Sequence, residues 1–209
     1  MPLLVRAEVV DLRTDSPKPT DVFAVDTNVW YWLTYQPASQ AARHYQITQY
    51  PNFLKRARNI GAKLRYCGTI FAELAHLVEV AEYKSYCARH GIQPNAYGSL
   101  TAKDFRHDYP QDRVNVQDEV AIAWGQVTSM ADIATVPLDT TTITASATLF
   151  EQVCLDGYDL ITVEAMRVNG IRHIITDDKD FLTVPGIVVL TANSNAVQAA
   201  KTAGKLISR

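Results

Sequence analysis

Residues 171–181, Ile-Arg-His-Ile-Ile-Thr-Asp-Asp-Lys-Asp-Phe, run from a β-branched apolar segment straight into a burst of carboxylates. Ile171, Ile174 and Ile175 follow Asn169-Gly170, the composition of a helix C-cap and turn, and so read as a buried strand. Thr176, Asp177, Asp178 and Asp180 come directly after it, and Phe181 closes the run. A parallel strand that stops abruptly in acids presents them at its carboxyl end, where open α/β sheets bind their ligands. An acidic turn alone is a common solvated feature. The weight therefore falls on whether other carboxylates converge on the same edge.

Three other segments supply them. Val22-Phe23-Ala24-Val25 is a short apolar run ending at Asp26-Thr27-Asn28, ahead of the apolar helix Val29-Trp30-Tyr31-Trp32-Leu33. Leu64-Arg65-Tyr66-Cys67 reads as a second strand leading into a long apolar helix that carries Glu73 and His76. Asp159 opens a helix running to Asn169, immediately before the organising strand. A final strand is expected at 187–190. Asp26 and Asp159 are also good helix caps, and an acid such as Glu73 in a first turn suits the helix dipole. Four strands alternating with helices imply a mainly parallel sheet with helices on both faces, and right-handed crossovers bring the carboxyl ends to one edge. Carboxylates gathered there repel unless a cation sits among them, and hard oxygen ligands without a His or Cys set favour Mg²⁺ or Mn²⁺.

Elsewhere the pattern is less regular. Pro51 suits the first turn of a helix over about 51–60. Lys55, Arg56, Arg58, Lys63 and Arg65 form a cationic cluster with no acid between them, either a solvated face or a hold on a phosphate backbone. Residues 91–116, punctuated by Gly91, Pro94, Asn95, Gly98 and Pro110, read as an insertion or mobile excursion. Helical spacing returns over 117–133, a short edge strand is expected at 135–138, and another helix at 141–155. Residues 1–20 look like an appended segment ending in a Pro-rich turn, and the basic end, with Lys201, Lys205 and Arg209, like a frayed tail or a nucleic-acid or partner contact.

The totals are those of one soluble domain of 209 residues, with 47% hydrophobic content, enough for a core. A net charge of −2 gives no bulk attraction to nucleic acid, so any such contact must be local. Cys67, Cys87 and Cys154 show neither a disulfide framework nor a zinc spacing. No apolar run approaches a membrane span, and the N-terminus is charged too early for a secretory signal, which makes the cytoplasm the expected location.

Taken together, Val25-Asp26-Thr27-Asn28, Phe71-Ala72-Glu73-Leu74, Asp159-Leu160-Ile161-Thr162-Val163-Glu164-Ala165 and Ile174-Ile175-Thr176-Asp177-Asp178-Lys179-Asp180-Phe181 resemble, in order and context, the PIN-domain nucleases, a group that includes VapC-like toxins of toxin–antitoxin pairs. The resemblance spans about residues 22–190. It implies a three-layer α/β/α sandwich around a mainly parallel sheet, enlarged here by a helical insertion. The implied layout is an N-terminal extension over 1–20, a PIN-like domain over 21–191 with an expanded region at 82–150, and a C-terminal tail over 192–209. It implies a metal-dependent endoribonuclease in which Asp26, Glu73, Asp159 and Asp178 hold Mg²⁺ or Mn²⁺. Asp180 is the second choice for the last ligand, and Asp177 is expected to face solvent. Thr27, Asn28 and Thr176 would orient ligand carboxylates or phosphate oxygens. RNA is the implied substrate, with an antitoxin protein and a homodimer as implied partners and no membrane. Two other readings share the acids: a metal-dependent phosphatase, although Asp26-Thr27-Asn28 lacks the second acid of an Asp-x-Asp motif, and a catalytically silent RNA- or protein-binding module.

Overall fold

The computed structural model describes residues 4–94 and 99–209; Asn95 and Gly98 of the irregular region lie outside them. Strands β1 (Glu8–Asp11), β2 (Val22–Val25), β3 (Lys63–Cys67), β4 (Asp132–Ala134), β5 (His173–Ile175) and β6 (Val188–Thr191) form one sheet in the order β1-β6-β5-β2-β3-β4. Every pairing is parallel. The helices are α1 (Thr27–Thr34), α2 (Gln36–Ala41), α3 (His44–Asn59), α4 (Thr69–Arg89), α5 (Ala102–Asp108), α6 (Pro110–Met130), α7 (Thr140–Phe150), α8 (Gly157–Val168) and α9 (Ser194–Thr202).

From β2 the chain steps outward through β3 to β4, then returns to lay β5 on the other side of β2. Right-handed crossovers in opposite directions place their helices on opposite faces, which makes the molecule an α/β/α sandwich. The strands show that cover: Phe23, Ile174, Ile175, Val189 and Leu190 are all completely or almost completely buried. The connections leaving β2 and β5 diverge, so a crevice opens at their carboxyl ends, the topological switch point of the sheet.

Several expectations are corrected. Residues 1–20 are not merely appended, because β1 adds a sixth strand in register with β6, from Glu8 against Val188 to Asp11 against Thr191. A four-residue edge strand bounded by acids leaves too short an apolar run to be recognised. The C-terminal residues are not frayed: Val9 and Ile207 exchange backbone bonds with this segment (Val9 N–H to Lys205 O, 2.9 Å; Ile207 N–H to Val9 O, 2.8 Å). Pro51 lies inside α3, seven residues past its start, where the buried side Tyr50, Phe53, Leu54 and Ala57 holds the helix despite the missing donor. The edge strand is 132–134 rather than 135–138, and the helices end at Met130 and Phe150.

Nor is the region before α6 an excursion. Tyr83, Tyr86 and Cys87 of α4 pack with Phe105 of α5 and Val116 of α6 as a second small core. Beside it the buried carboxylate of Glu79 receives Arg106 through two bonds (2.7 and 2.6 Å) and Arg113 through one (2.7 Å). Among the described residues no helix is long and apolar enough to cross a membrane.

Arg209 ties the C-terminal segment to the start of β2 by donating to Asp15 (2.5 and 3.2 Å), pairing with Asp21 (3.2 Å) and lying over the Phe23 ring. The Asp15 side chain is 1% exposed. Removing one partner of such a pair strands a buried charge, so Arg209→Ala should lower stability by about 3–5 kcal/mol, measured by urea unfolding at neutral pH. Arg13→Ala, which removes a guanidinium that is itself 37% exposed from an Asp11 carboxylate 18% exposed, should cost about 1 kcal/mol or less.

Candidate metal centre

Asp26 is the first residue past β2 and the N-cap of α1. Its backbone N–H continues the ladder to Ile175 O (3.1 Å), while Thr176 N–H bonds Leu190 O (3.2 Å), so the two strand ends are pinned side by side. The Asp26 carboxylate is 4% exposed and accepts three bonds. Oδ1 takes Thr27 N–H (2.6 Å), and Oδ2 takes Asn28 Nδ2 (2.6 Å) and the Thr176 hydroxyl (2.5 Å). The same Thr176 oxygen accepts Asp178 N–H (2.9 Å). One hydroxyl therefore links the acid after β2 to the acid after β5. Thr27 Oγ1 in turn donates to Glu73 Oε2 on α4. Thr27, Asn28 and Thr176 all touch the acids they were expected to orient.

Asp159 sits in the first turn of α8 and is 8% exposed. It does not open that helix. Asp156 does, accepting Tyr158 N–H (2.9 Å) and Asp159 N–H (3.1 Å). Asp156 adds its charge to the field at Glu73 and Asp159, a member of the cluster that the sequence reading missed. Asp156-Gly157 before an apolar periodic run is a helix-start signal that points to it.

The three acids after β5 take separate roles. Asp178 faces the cluster, and its charge is felt at Asp26, Glu73 and Asp159. Asp180 lies at the exposed rim in a 3₁₀ turn, where its N–H donates to Asp178 Oδ1 (2.8 Å) and its carboxyl feels only Asp178 and Asp156 among the acids. Asp177 is not solvent-facing. Tyr50 (2.7 Å), Gln46 (2.9 Å) and Tyr45 (3.1 Å) all donate to it from α3, a partnership between distant segments that sequence spacing cannot announce.

The cationic cluster is placed away from this centre. Lys63 begins β3, at the amino edge of the sheet, and α3 delivers Lys55, Arg56 and Arg58 toward that same end. Arg56 donates to Asp15 O (3.1 Å) and lies against Phe53, and Arg65 pairs with Asp132. These five residues do not border the acids.

Crowding and burial dominate the electrostatics. Burial pushes the Asp26 carboxyl up to about 7, opposed by the Thr176 bond and reinforced by the charge of Glu73. Asp159 is pushed up to about 9, first by burial and then by Asp26, Asp156, Glu73 and Asp178. Glu73 is raised by burial against the Thr27 bond. Among the described residues no three His, Cys, Asp or Glu side chains close into a ready-made metal cage, since like charges resist closer approach. The donor chemistry nevertheless fits a hard divalent cation. Every nearby acid offers oxygen, and Asn28 Oδ1 is buried without a hydrogen-bond partner, an acceptor that a cation or its water would satisfy.

Among known proteins, no family model and no curated protein matches the chain. Among solved structures it is similar to the crystal structure of VapBC2 from Rickettsia felis bound to a DNA fragment from their promoter, with 12% identity and a TM-score of 0.47, over 81% of this chain and 98% of that one.

The raised carboxyl groups set a pH dependence for the metal-free protein. A folded-state acid that keeps its proton above the usual carboxylate range contributes stability at low pH that is lost as pH rises through its folded value, about 7 for Asp26 and about 9 for Asp159. In chelator, the melting temperature should therefore fall between about pH 5 and about pH 8. Asp159→Asn should flatten that fall, and added Mg²⁺ should oppose it by binding the ionised folded form. A melting temperature that rises over the same interval would remove the crowded-acid account.

Proposed function

We propose that the chain is a divalent-metal-dependent ribonuclease that hydrolyses phosphodiester bonds. The carrying observation is geometric: at the switch point of a parallel sheet one Thr176 hydroxyl binds both the Asp26 carboxylate and the Asp178 amide, Thr27 binds Glu73, and the charges of Glu73 and Asp178 are felt at Asp26 and Asp159. The ordered motif resemblance to PIN-domain nucleases supports the same reading, and with it pairing to an antitoxin.

These four carboxylates, with Asn28 Oδ1 beside them, are the groups that would hold Mg²⁺ or Mn²⁺. When bound, such an ion supplies acidification of a water molecule and neutralisation of phosphate charge. The protein's own part is orientation. Thr176 fixes Asp26 and the Asp178 backbone relative to each other, Thr27 fixes Glu73, and the cap at Asp156 fixes the first turn that carries Asp159. Such partners hold ligand carboxylates in one geometry, which a flexible acidic loop would not. Among the described residues the centre needs no Ser or Cys nucleophile, consistent with direct attack by water.

The test is cleavage of a labelled RNA with Mg²⁺, with Mn²⁺ and with excess chelator. Cleavage should require a metal, and Asp26→Asn and Asp178→Asn should each abolish it while leaving the fold intact. Thr176→Val, which keeps the shape but removes the linking hydroxyl, should weaken apparent metal affinity or activity by about 10–100-fold. Undiminished cleavage in chelator, or hydrolysis of a small phosphate ester with none of RNA, would overturn the reading.

A further inference from the structure

A groove of 610 Å³ runs between α4, α5 and α6, and the acid cluster leaves its chemistry unused. It begins beside the acids: Glu73, His76 and Glu79 succeed one another at three-residue spacing on α4, so each is the neighbour of the next and the row covers roughly 9 Å of helix.

One end of the groove is aromatic. Phe71, 45% exposed, meets the Trp124 ring edge-to-face at 5.1 Å between centroids, and Tyr66 braces Trp124 at 5.0 Å. Ala72, Ala75 and Ala121 leave the floor between the helices low. The other end is cationic. Glu79 holds Arg106 and Arg113, so two guanidiniums face one carboxylate and a single positive charge remains. Among the described residues Arg113 bonds Glu79 through Nη1 alone, which leaves its Nε and Nη2 for another acceptor. The buried carboxylate thus fixes two planar donors at the groove wall before any ligand arrives.

We propose that this groove binds a single-stranded segment of the nucleic-acid substrate, with an unpaired base against Phe71 and Trp124 and a backbone phosphate at Arg113 and Arg106. An exposed Phe71 ring beside the half-buried Trp124 suits a base that has left its stack, which a continuous duplex does not present. The surplus positive charge suits a phosphate and does not suit an apolar helix. The inference rests on the reading of the acids as a phosphodiester-cleaving centre, to which the groove would lead the strand.

The experiment is fluorescence anisotropy of the full chain with a labelled single-stranded oligouridylate in chelator, where binding is read without cleavage, beside a separate cleavage assay. Phe71→Ala and Trp124→Ala should each weaken binding by about five- to tenfold. Arg113→Gln, which leaves Glu79 paired with Arg106, should lower the salt slope by about 1. Lys55→Gln, in the cationic cluster at the amino edge of the sheet, should change neither, and a hairpin duplex of equal length should bind more weakly. Phe71 is exposed and its variant should fold, so a loss of folding in Trp124→Ala leaves the decision to Phe71→Ala and Arg113→Gln. Groove-dependent binding with no cleavage under any divalent ion retains the groove and removes the nuclease reading. Cleavage with affinity unmoved by these variants retains the nuclease and overturns the groove. Absent binding by the parent, equal affinity for duplex, or salt-independent affinity lost only in Phe71→Ala also overturns it.

Discussion

Like charge gathered at one edge of a parallel sheet is the constraint around which this molecule is arranged. Two buried acids, Asp26 and Asp159, would be untenable side by side in an apolar interior. Asp26 is made tolerable by a ring of donors from the start of α1 and the end of β5: the Thr27 amide, the Asn28 amide nitrogen and the Thr176 hydroxyl. Thr176 serves both sides because a hydroxyl donates once and accepts as well. Burial first, and the remaining repulsion after it, make these carboxyl groups hold their protons to unusually high pH. A cation would release that tension, which is the physical reason for connecting the site to metal chemistry.

The sheet supplies the rigidity this arrangement requires. All pairings are parallel and both faces are covered, so the strand ends are set by a core with little freedom to shift. Tyr50 carries that rigidity into the acidic loop, since its hydroxyl contacts Asp177, the Thr191 hydroxyl and the Ala192 amide at 2.7–3.1 Å. The helices α4, α5 and α6 work differently. Their second aromatic core and the Glu79 ion pairs hold the three helices against one another.

Much of the centre was legible because its members obey local rules. Asp26 ends an apolar strand, Glu73 and Asp159 occupy first or second turns of apolar helices, and Asp178 follows Thr176 at the close of a β-branched run. Alternation of such runs with helical spacing was enough to imply the parallel sheet and its loaded edge. The edge elements were harder. β1 (Glu8–Asp11) and β4 (Asp132–Ala134) each have only two apolar residues in a row beside an acid, too few to stand out from their surroundings. Pro51 misplaced the start of α3 because a proline is a local signal, whereas the buried side that keeps the helix intact is tertiary.

The chain's order of residues by itself pointed to Asp26, Glu73, Asp159 and Asp178, because each sits near a strand or helix boundary that local pattern defines, but it did not bring in Asp156. Tertiary structure alone decided what the remaining charges do. Asp177 and Asp178 are adjacent in the chain, yet one turns to three donors from α3 and the other to the acids. The cations of 55–65 were as conspicuous as the acids, but α3 runs back along the sheet and leaves them at its amino edge. Arg209 passed for a loose end until Asp15 and Asp21 closed around it. The reason is common to all three cases: a charge takes its role from the partner it meets in space, and chain order fixes that partner only when the two are neighbours on one element.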